Sequence, residues 1–345
     1  MSPKLVTLAL QGGGSHGAFT WGVLDRLLED DRIDIEAISG ASAGAMNATV
    51  LAFGYAIDGR DGARQALKNF WESVAAKAPF SFISQETAAS DDITKQSDLP
   101  AAMKHTISLA RFFSPHQLNP FDINPLRDIL LAQIDFERIR SSSQIKLFIA
   151  TTNVSTGTLR LFGNKQLSLD VLLASACLPM MHRAIDIDGD AYWDGGLTAN
   201  PPLFPLIQKC RARDLIVVLL HSLPRAVTPT SAEDIFYRLS EMGFTSAFNT
   251  EMNAVMLAKR EADRGWPSFA RLDRRLRQLN IHVMESQGLM SLLSTHSKMN
   301  AQGHFLQRLH DEGRQFAEGW LERHFCHVGV RSNFVSPTNL GNLLL

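Results

Sequence analysis

Three short stretches of this chain hold groups that could carry out acyl transfer. Gly40-Ala41-Ser42-Ala43-Gly44 fits G-x-S-x-G, in which a serine occupies a tight turn between a strand and a helix. Ala41 and Ala43 suit the crowded backbone of such a turn, and the helix N-terminus offers Ser42 a positive potential and the N–H of Ala43. Ser42 is therefore the candidate nucleophile. Gly12-Gly13-Gly14-Ser15-His16-Gly17 fits G-x-G-x-x-G. Adjacent glycines let backbone N–H groups converge at a helix start, where they can hold either a phosphate or a developing oxyanion. A dinucleotide site would also want an acid at the end of the next strand. Asp34 and Glu36 stand at nearly the right separation, but that strand ends in Ser39-Gly40. The third stretch is Trp193-Asp194-Gly195-Gly196, a carboxylate beside glycines that permit close approach to another backbone. Asp194 is the candidate general base, although a D-G-G turn alone is commonly just a turn. His221, at the end of an apolar run, is the candidate histidine should Ser42 belong to a triad.

These groups need elements to position them. Leu5 to Leu10 reads as a strand ended by Gln11 and the three glycines, and from Ala18 to Leu28 apolar residues recur at helical spacing. Ile33 to Ser39 is a second strand, and the Ser42 turn opens a helix to about Phe53. Strand, glycine turn and helix twice over within 55 residues is the mark of a parallel α/β sheet. Further strands are expected at Ile145 to Thr151, Thr158 to Phe162, Asp214 to Leu220 and Ile281 to Glu285, with a hairpin over Ala184 to Trp193 turning at Asp188-Gly189. Helices are expected at Ala63 to Ala75, Pro125 to Gln133, Leu167 to Cys177, Asn300 to Arg323, and from Ala232 to Arg264 with breaks. Residues 79–125 form a Pro- and Phe-rich insertion. It reads equally as a lid over an apolar site or as a surface excursion packing its aromatics onto the body.

Composition narrows the classes. Of 345 residues, 45% are hydrophobic and 20% charged, enough to bury a large core, and 34 basic against 35 acidic residues leave a net charge of −1. No global grip on nucleic acid follows from that balance. Cys177, Cys210 and Cys326 are odd in number and lack a C-x-x-C, so neither a disulfide framework nor a metal cluster is expected and a reducing compartment fits best. Met1 to Leu10 carries one Lys and too short an apolar run for a signal peptide. Ala37 to Ile57 is uncharged and long enough to span a bilayer, but its bunched Gly and Ser residues read as strand, turn and buried helix. The expectation is a cytoplasmic protein. Lys259, Arg260, Arg264, Arg271, Arg274, Arg275 and Arg277 outnumber the acids around them, which suits either anionic lipid headgroups at a membrane surface or a solvated helix face.

Taken together, G-G-G-x-x-G, then G-x-S-x-G about 25 residues on, then D-G-G far downstream resemble the patatin-like phospholipase family, in its bacterial type. Ala174-Ser175-Ala176-Cys177-Leu178-Pro179 is similar to the A-S-x-x-x-P stretch that this family carries before its aspartate, and the resemblance covers about residues 4–210. It implies a three-layer α/β/α fold with a mainly parallel central sheet, residues 1–210 forming the catalytic domain and 211–345 completing the sheet with helices packed on the same domain. It implies a calcium-independent hydrolase of lipid acyl esters, of the phospholipase A or lysophospholipase kind, using no cofactor. The implied site is a Ser42–Asp194 dyad with an oxyanion hole from Gly12, Gly13, Gly14 and Ala43, supported by Gly17, Gly40, Gly44, Gly195 and Gly196. The family usually places Lys or Arg where this chain has His16, which would be cationic only when protonated. A serine acyltransferase of related architecture and a nucleotide-binding protein using Gly12–Gly17 are the competing readings.

Overall fold

A computed structural model describes residues 3–77, 93, 97, 112–220, 228–266, 270–294 and 296–334. In chain order the strands are β1 (Lys4–Leu10), β2 (Ile33–Gly40), β3 (Lys146–Asn153), β4 (Leu159–Gly163), β5 (Ile185–Ile187), β6 (Asp190–Asp194), β7 (Asp214–Leu219) and β8 (Asn280–Glu285). The helices are α1 (Gly17–Glu29), α2 (Ala43–Ala76), α3 (Pro115–Leu118), α4 (Pro125–Gln133), α5 (Phe136–Ser142), α6 (Leu169–Ser175), α7 (Phe204–Lys209), α8 (Ala232–Arg264), α9 (Arg271–Arg277), α10 (Gln287–Leu292) and α11 (Gly303–His324).

All eight strands join one sheet in the order β5-β6-β3-β2-β1-β7-β8, with β4 paired to β3. The five central strands, β3-β2-β1-β7-β8, run parallel; β4, β5 and β6 add the antiparallel edge. Strand alternation divides the core in two. Val6, Leu8, Leu10, Ile216, Val218 and Met284 face a layer holding α1, α2, α6 and α11. Ala9, Leu215, Val217, Leu219 and Ile281 face α7, α8 and α9 on the other side. The architecture is three-layer α/β/α, as expected.

Strand β3 sets where the site lies. Its residues 146–149 pair with β2, which stops at Gly40 opposite Ile149, while β4 occupies the other side over residues 148–152. Thr151 to Asn153 therefore have a free flank where β2 has ended, and β6 takes it, with Asp194 opposite Thr151. Asp194 thus lies in the lane of β2, about 7 Å beyond Gly40 at strand spacing. Ser42, two residues past Gly40, turns off at the same place.

Several expected elements take a different form. The helix from Ser42 does not stop near Phe53. It runs into the one expected at Ala63, through a kink where Asp58 and Gly59 leave helical geometry and Gly59 adopts φ 55°. Ala37 to Ile57 is accordingly the end of β2 and the buried start of α2, and among the described residues no helix is long and apolar enough to cross a membrane. Ala232 to Arg264 is one helix without a break. The hairpin turns at Asp188-Gly189, both with positive φ.

Part of the basic run is engaged inside the fold, while Arg264, Arg271 and Arg274 stay exposed. Arg275 donates to the carbonyls of Ile207, Arg211 and Ala212, Arg277 to those of Gly265 and Trp266, and Lys259 to those of Leu276 and Arg277. Lys259 and Arg277 also pair with Asp263 and Asp273. Lys259, Arg275 and Arg277 thus tie α8 and α9 to each other and to the α7–β7 connection. Of the 79–125 insertion, residues 79–92, 94–96 and 98–111 lie outside the described residues. In the described part Phe112 and Phe121 point into solvent (79% and 85% exposed) rather than onto the body. Arg183 anchors this part through the carbonyls of Asn119 and Pro120.

Candidate active site

Ser42 stands at the N-terminus of α2 with φ 52° and ψ −126°, a conformation that costs a residue with a Cβ roughly 1–3 kcal/mol. Its neighbours hold it there. The Ser42 N–H donates to both the carbonyl and the hydroxyl of Ser175, each at 3.1 Å. Two residues further on, the Cys177 carbonyl accepts the N–H of Asp194 at 2.9 Å. The end of α6 therefore pins the backbones of both groups. Thr152 completes the support by donating to the Asp194 carbonyl at 2.8 Å. A Cβ at Gly12 would lie 2.8 Å from that of Ser42, and one at Gly44 would overlap the Leu10 carbonyl, so the two glycine motifs touch only because side chains are missing there. Gly17 opens α1, Gly40 ends β2, and Gly195 and Gly196 form the turn after β6.

Asp194 is fully buried. Its Oδ1 accepts the Gly196 N–H at 2.7 Å, while Oδ2 is enclosed without a hydrogen-bond partner among the described residues. Burial pushes its pKa up to about 7, against the opposing pull of the Gly196 N–H and the adjacent Ser42 hydroxyl. A carboxyl group that ionises near neutrality beside a strained serine can exchange protons with that serine at working pH.

The glycine loop differs from expectation at one donor. The Gly12 N–H points not into the site but to Asn200 Oδ1, at 2.6 Å. Gly12 therefore leaves the donor set, and the N–H groups of Gly13, Gly14 and Ala43 remain without acceptors among the described residues. His16 is buried, with Nε2 2.7 Å from the Ser297 hydroxyl. Burial, reinforced by the nearby Lys298 charge, lowers its pKa to about 3, so it is a neutral structural ring and not a substitute cation. His221 lies outside the described residues.

The family model described as patatin-like phospholipase matches residues 8–207, which span β1 through α7 and contain all three motifs. The chain belongs to the patatin-like phospholipase family. That membership places it among lipid acyl hydrolases. No curated protein matches it in sequence. Among solved structures it is similar to VipD from Legionella pneumophila, at 16% identity and a TM-score of 0.41, over 94% of this chain and 67% of that one.

The patatin-like motifs do not act alone in this chain. Asn47 of α2 donates to the Gly17 carbonyl and accepts from the Trp71 indole, both at 2.9 Å, locking the two motif helices together. The Lys298 carbonyl packs against Gly14, so part of the chain beyond residue 207 buttresses the glycine loop. Sequence reasoning passed over Asn47, Asn200 and Ser297 as supports. Asn200, in Asn-Pro-Pro shortly after D-G-G, carried the only local signal. One consequence is open to measurement. Gly13 has φ −178° and its added Cβ would meet the Leu220 side chain at 3.1 Å and the His16 Cβ at 3.6 Å, whereas Gly14 has φ 58° and no room. Gly13→Ala keeps its N–H in place and should fold normally with kcat within about 3-fold of wild type, whereas Gly14→Ala, pushed off the Lys298 carbonyl, should displace the Gly14 N–H and lose roughly 10-fold or more in kcat with KM little changed, because the donors act on transition-state charge. Wild-type kcat in a folded Gly14→Ala variant would remove the Gly14 N–H from the donor set.

Proposed function

We propose that this chain hydrolyses fatty-acyl esters of lipids, with Ser42 as nucleophile, Asp194 as the sole general base, and the Gly13, Gly14 and Ala43 N–H groups as oxyanion hole. The observation that carries this reading is the meeting of the strained Ser42 with a buried, partly unpartnered Asp194 carboxyl in the lane that β2 vacates. In the first half-reaction the Ser42 oxygen attacks the ester carbonyl carbon while Asp194 takes the hydroxyl proton. Collapse of the tetrahedral oxyanion breaks the ester C–O bond, and Asp194 returns the proton to the leaving alcohol or lysolipid. Water then attacks the acyl-Ser42 carbonyl, giving its proton to Asp194, and the fatty acid leaves as Ser42 recovers a proton. A raised pKa favours both directions of this shuttle. A carboxylate near pH 4 would be too weak a base, and one near 7 divides its time between the two forms.

The test uses purified protein with phospholipid vesicles, soluble fatty-acyl esters and a fluorophosphonate probe. Ester hydrolysis and covalent labelling mapped to the Ser42 peptide are expected. The pH profile should follow Asp194: kcat/KM rises about tenfold per unit below pH 7 and levels off above it, because only the carboxylate is the base. Absence of both hydrolysis and labelling would overturn the reading, and a flat profile from pH 5.5 to 8 would overturn Asp194 as the base.

A further inference from the structure

Asn200 joins three parts of the site through one planar amide. Its Oδ1 accepts the Gly12 N–H at 2.6 Å. Its Nδ2 donates to the Phe244 carbonyl of α8 at 3.2 Å and, at 3.5 Å, to the Gly12 carbonyl. The Asn200 backbone carbonyl accepts from Gln11 Nε2 at 3.3 Å, and Gln11 Oε1 in turn accepts the Leu220 N–H at 2.7 Å. Beyond the end of β1, side-chain amides thus replace the strand ladder in tying the glycine loop to the segment that follows Asp194. The side chain is almost wholly buried, so each of these groups would be costly to leave unpaired.

Orientation is the consequence that matters. Asn200 holds the two peptides on either side of the Gly12 Cα, one by its N–H and the next by its carbonyl, and that carbonyl shares its peptide plane with the Gly13 N–H, the first of the two that are free to face a ligand. Gly12 also lies against Ser42, where an added Cβ would come 2.6 Å from the Ala41 carbonyl oxygen, so a turn of this peptide would carry the loop across the nucleophile. On the other flank Phe244 packs on Gly196, with an added Cβ only 2.6 Å from its ring, so α8 bears on the base turn and, through Asn200, on the oxyanion loop.

We propose that Asn200 is a positioning residue for oxyanion stabilisation: by holding the peptides on both sides of Gly12 it sets the direction of the Gly13 N–H, and through it that of Gly14, relative to Ser42. Asparagine is suited to this because one neutral group supplies an acceptor and a donor. Aspartate would accept from Gly12 but could not donate when ionised, and it would place negative charge beside a developing oxyanion.

The inference rests on the hydrolase reading, and the experiment keeps the two apart. Wild-type protein is first assayed for ester turnover and for inhibition by an alkylboronic acid, whose serine adduct is tetrahedral and anionic. Wild type without turnover or inhibition sinks the hydrolase reading itself. Given an active wild type, Asn200→Ala should lower kcat by roughly 10²-fold, the scale of a misplaced catalytic group, with KM within about 3-fold. Boronate affinity should fall in parallel with kcat/KM, because both report on the oxyanion site. Asn200→Asp keeps the Gly12 acceptor and serves where the alanine variant fails to fold; it should show the same parallel loss. A folded variant with wild-type kcat and wild-type boronate affinity would overturn the proposal. So would a fall in melting temperature with boronate affinity unchanged, since that is the signature of a purely structural amide.

Discussion

Ser42→Ala is expected to abolish ester hydrolysis and fluorophosphonate labelling while changing the melting temperature by no more than about a degree or two. The reaction loses its only proposed nucleophile, so no partial mechanism remains through the acyl-enzyme. The fold loses little, because alanine retains the Cβ and therefore the strained backbone at φ 52°, and the bonds from the Ser42 N–H to Ser175 are made by the main chain. Ser42→Gly separates these effects. It too should be inactive, but glycine tolerates this conformation, so relief of strain less the added chain entropy should leave it about 1 kcal/mol more stable than the alanine variant. Chemical denaturation of the three proteins measures the difference. Labelling that persists in Ser42→Ala, or maps to another serine in wild type, would reject Ser42 as nucleophile. An alanine variant more stable than the glycine variant by about the chain-entropy difference alone, roughly 0.4–1 kcal/mol, would show that the turn stores no strain.

The motifs on which this rests were legible because each is local. A serine between Gly40 and Gly44 needs a strand before it and a helix after it, and both patterns lie within a dozen residues. The parallel sheet was legible for the same reason. What could not be read is what the sheet brings together from a distance. The Gly12–Asn200, Ser42–Ser175 and His16–Ser297 contacts span 188, 133 and 281 residues. The first two go with β6 entering the lane left by β2 and the third with the chain beyond β8 folding back onto the glycine loop, neither of which any spacing in the chain encodes. The same limit applied to charge. His16 looked like a conditional cation until its burial fixed it as neutral, and Arg275 looked available until the carbonyls of α7 and the α7–β7 connection took it. Conversely, Asp58 and Gly59 hid the continuity of α2, because a glycine of positive φ reads as an end even where a helix resumes beyond it.

Asp194→Asn should produce opposite changes in rate and stability. Asparagine keeps the size of the side chain and can still accept from the Gly196 N–H through its oxygen. It cannot accept the Ser42 proton, so turnover should fall by roughly 10²–10⁴-fold, the range of general base catalysis. Stability should change the other way at neutral pH. In the folded chain Asp194 holds its proton up to about pH 7, whereas unfolded it releases it near its ordinary value of 3.8. Between those values the folded state binds the extra proton, so wild-type stability declines as pH rises and reaches its full penalty, on the order of 4 kcal/mol, above pH 7. The asparagine variant carries no such penalty, so its advantage should be largest at pH 8 and nearly absent at pH 4. Urea unfolding of both proteins at the two pH values measures it directly. An advantage that does not grow with pH would mean that Asp194 ionises without cost and is no tuned base. Retained turnover would reject it as the base altogether and return a histidine to consideration. A penalty of this size is a large share of the roughly 5–15 kcal/mol that holds a typical domain together. A carboxyl group kept buried at such cost beside a strained hydroxyl suits the proposed one-step proton shuttle, since solvating it would lower its pKa and weaken the base.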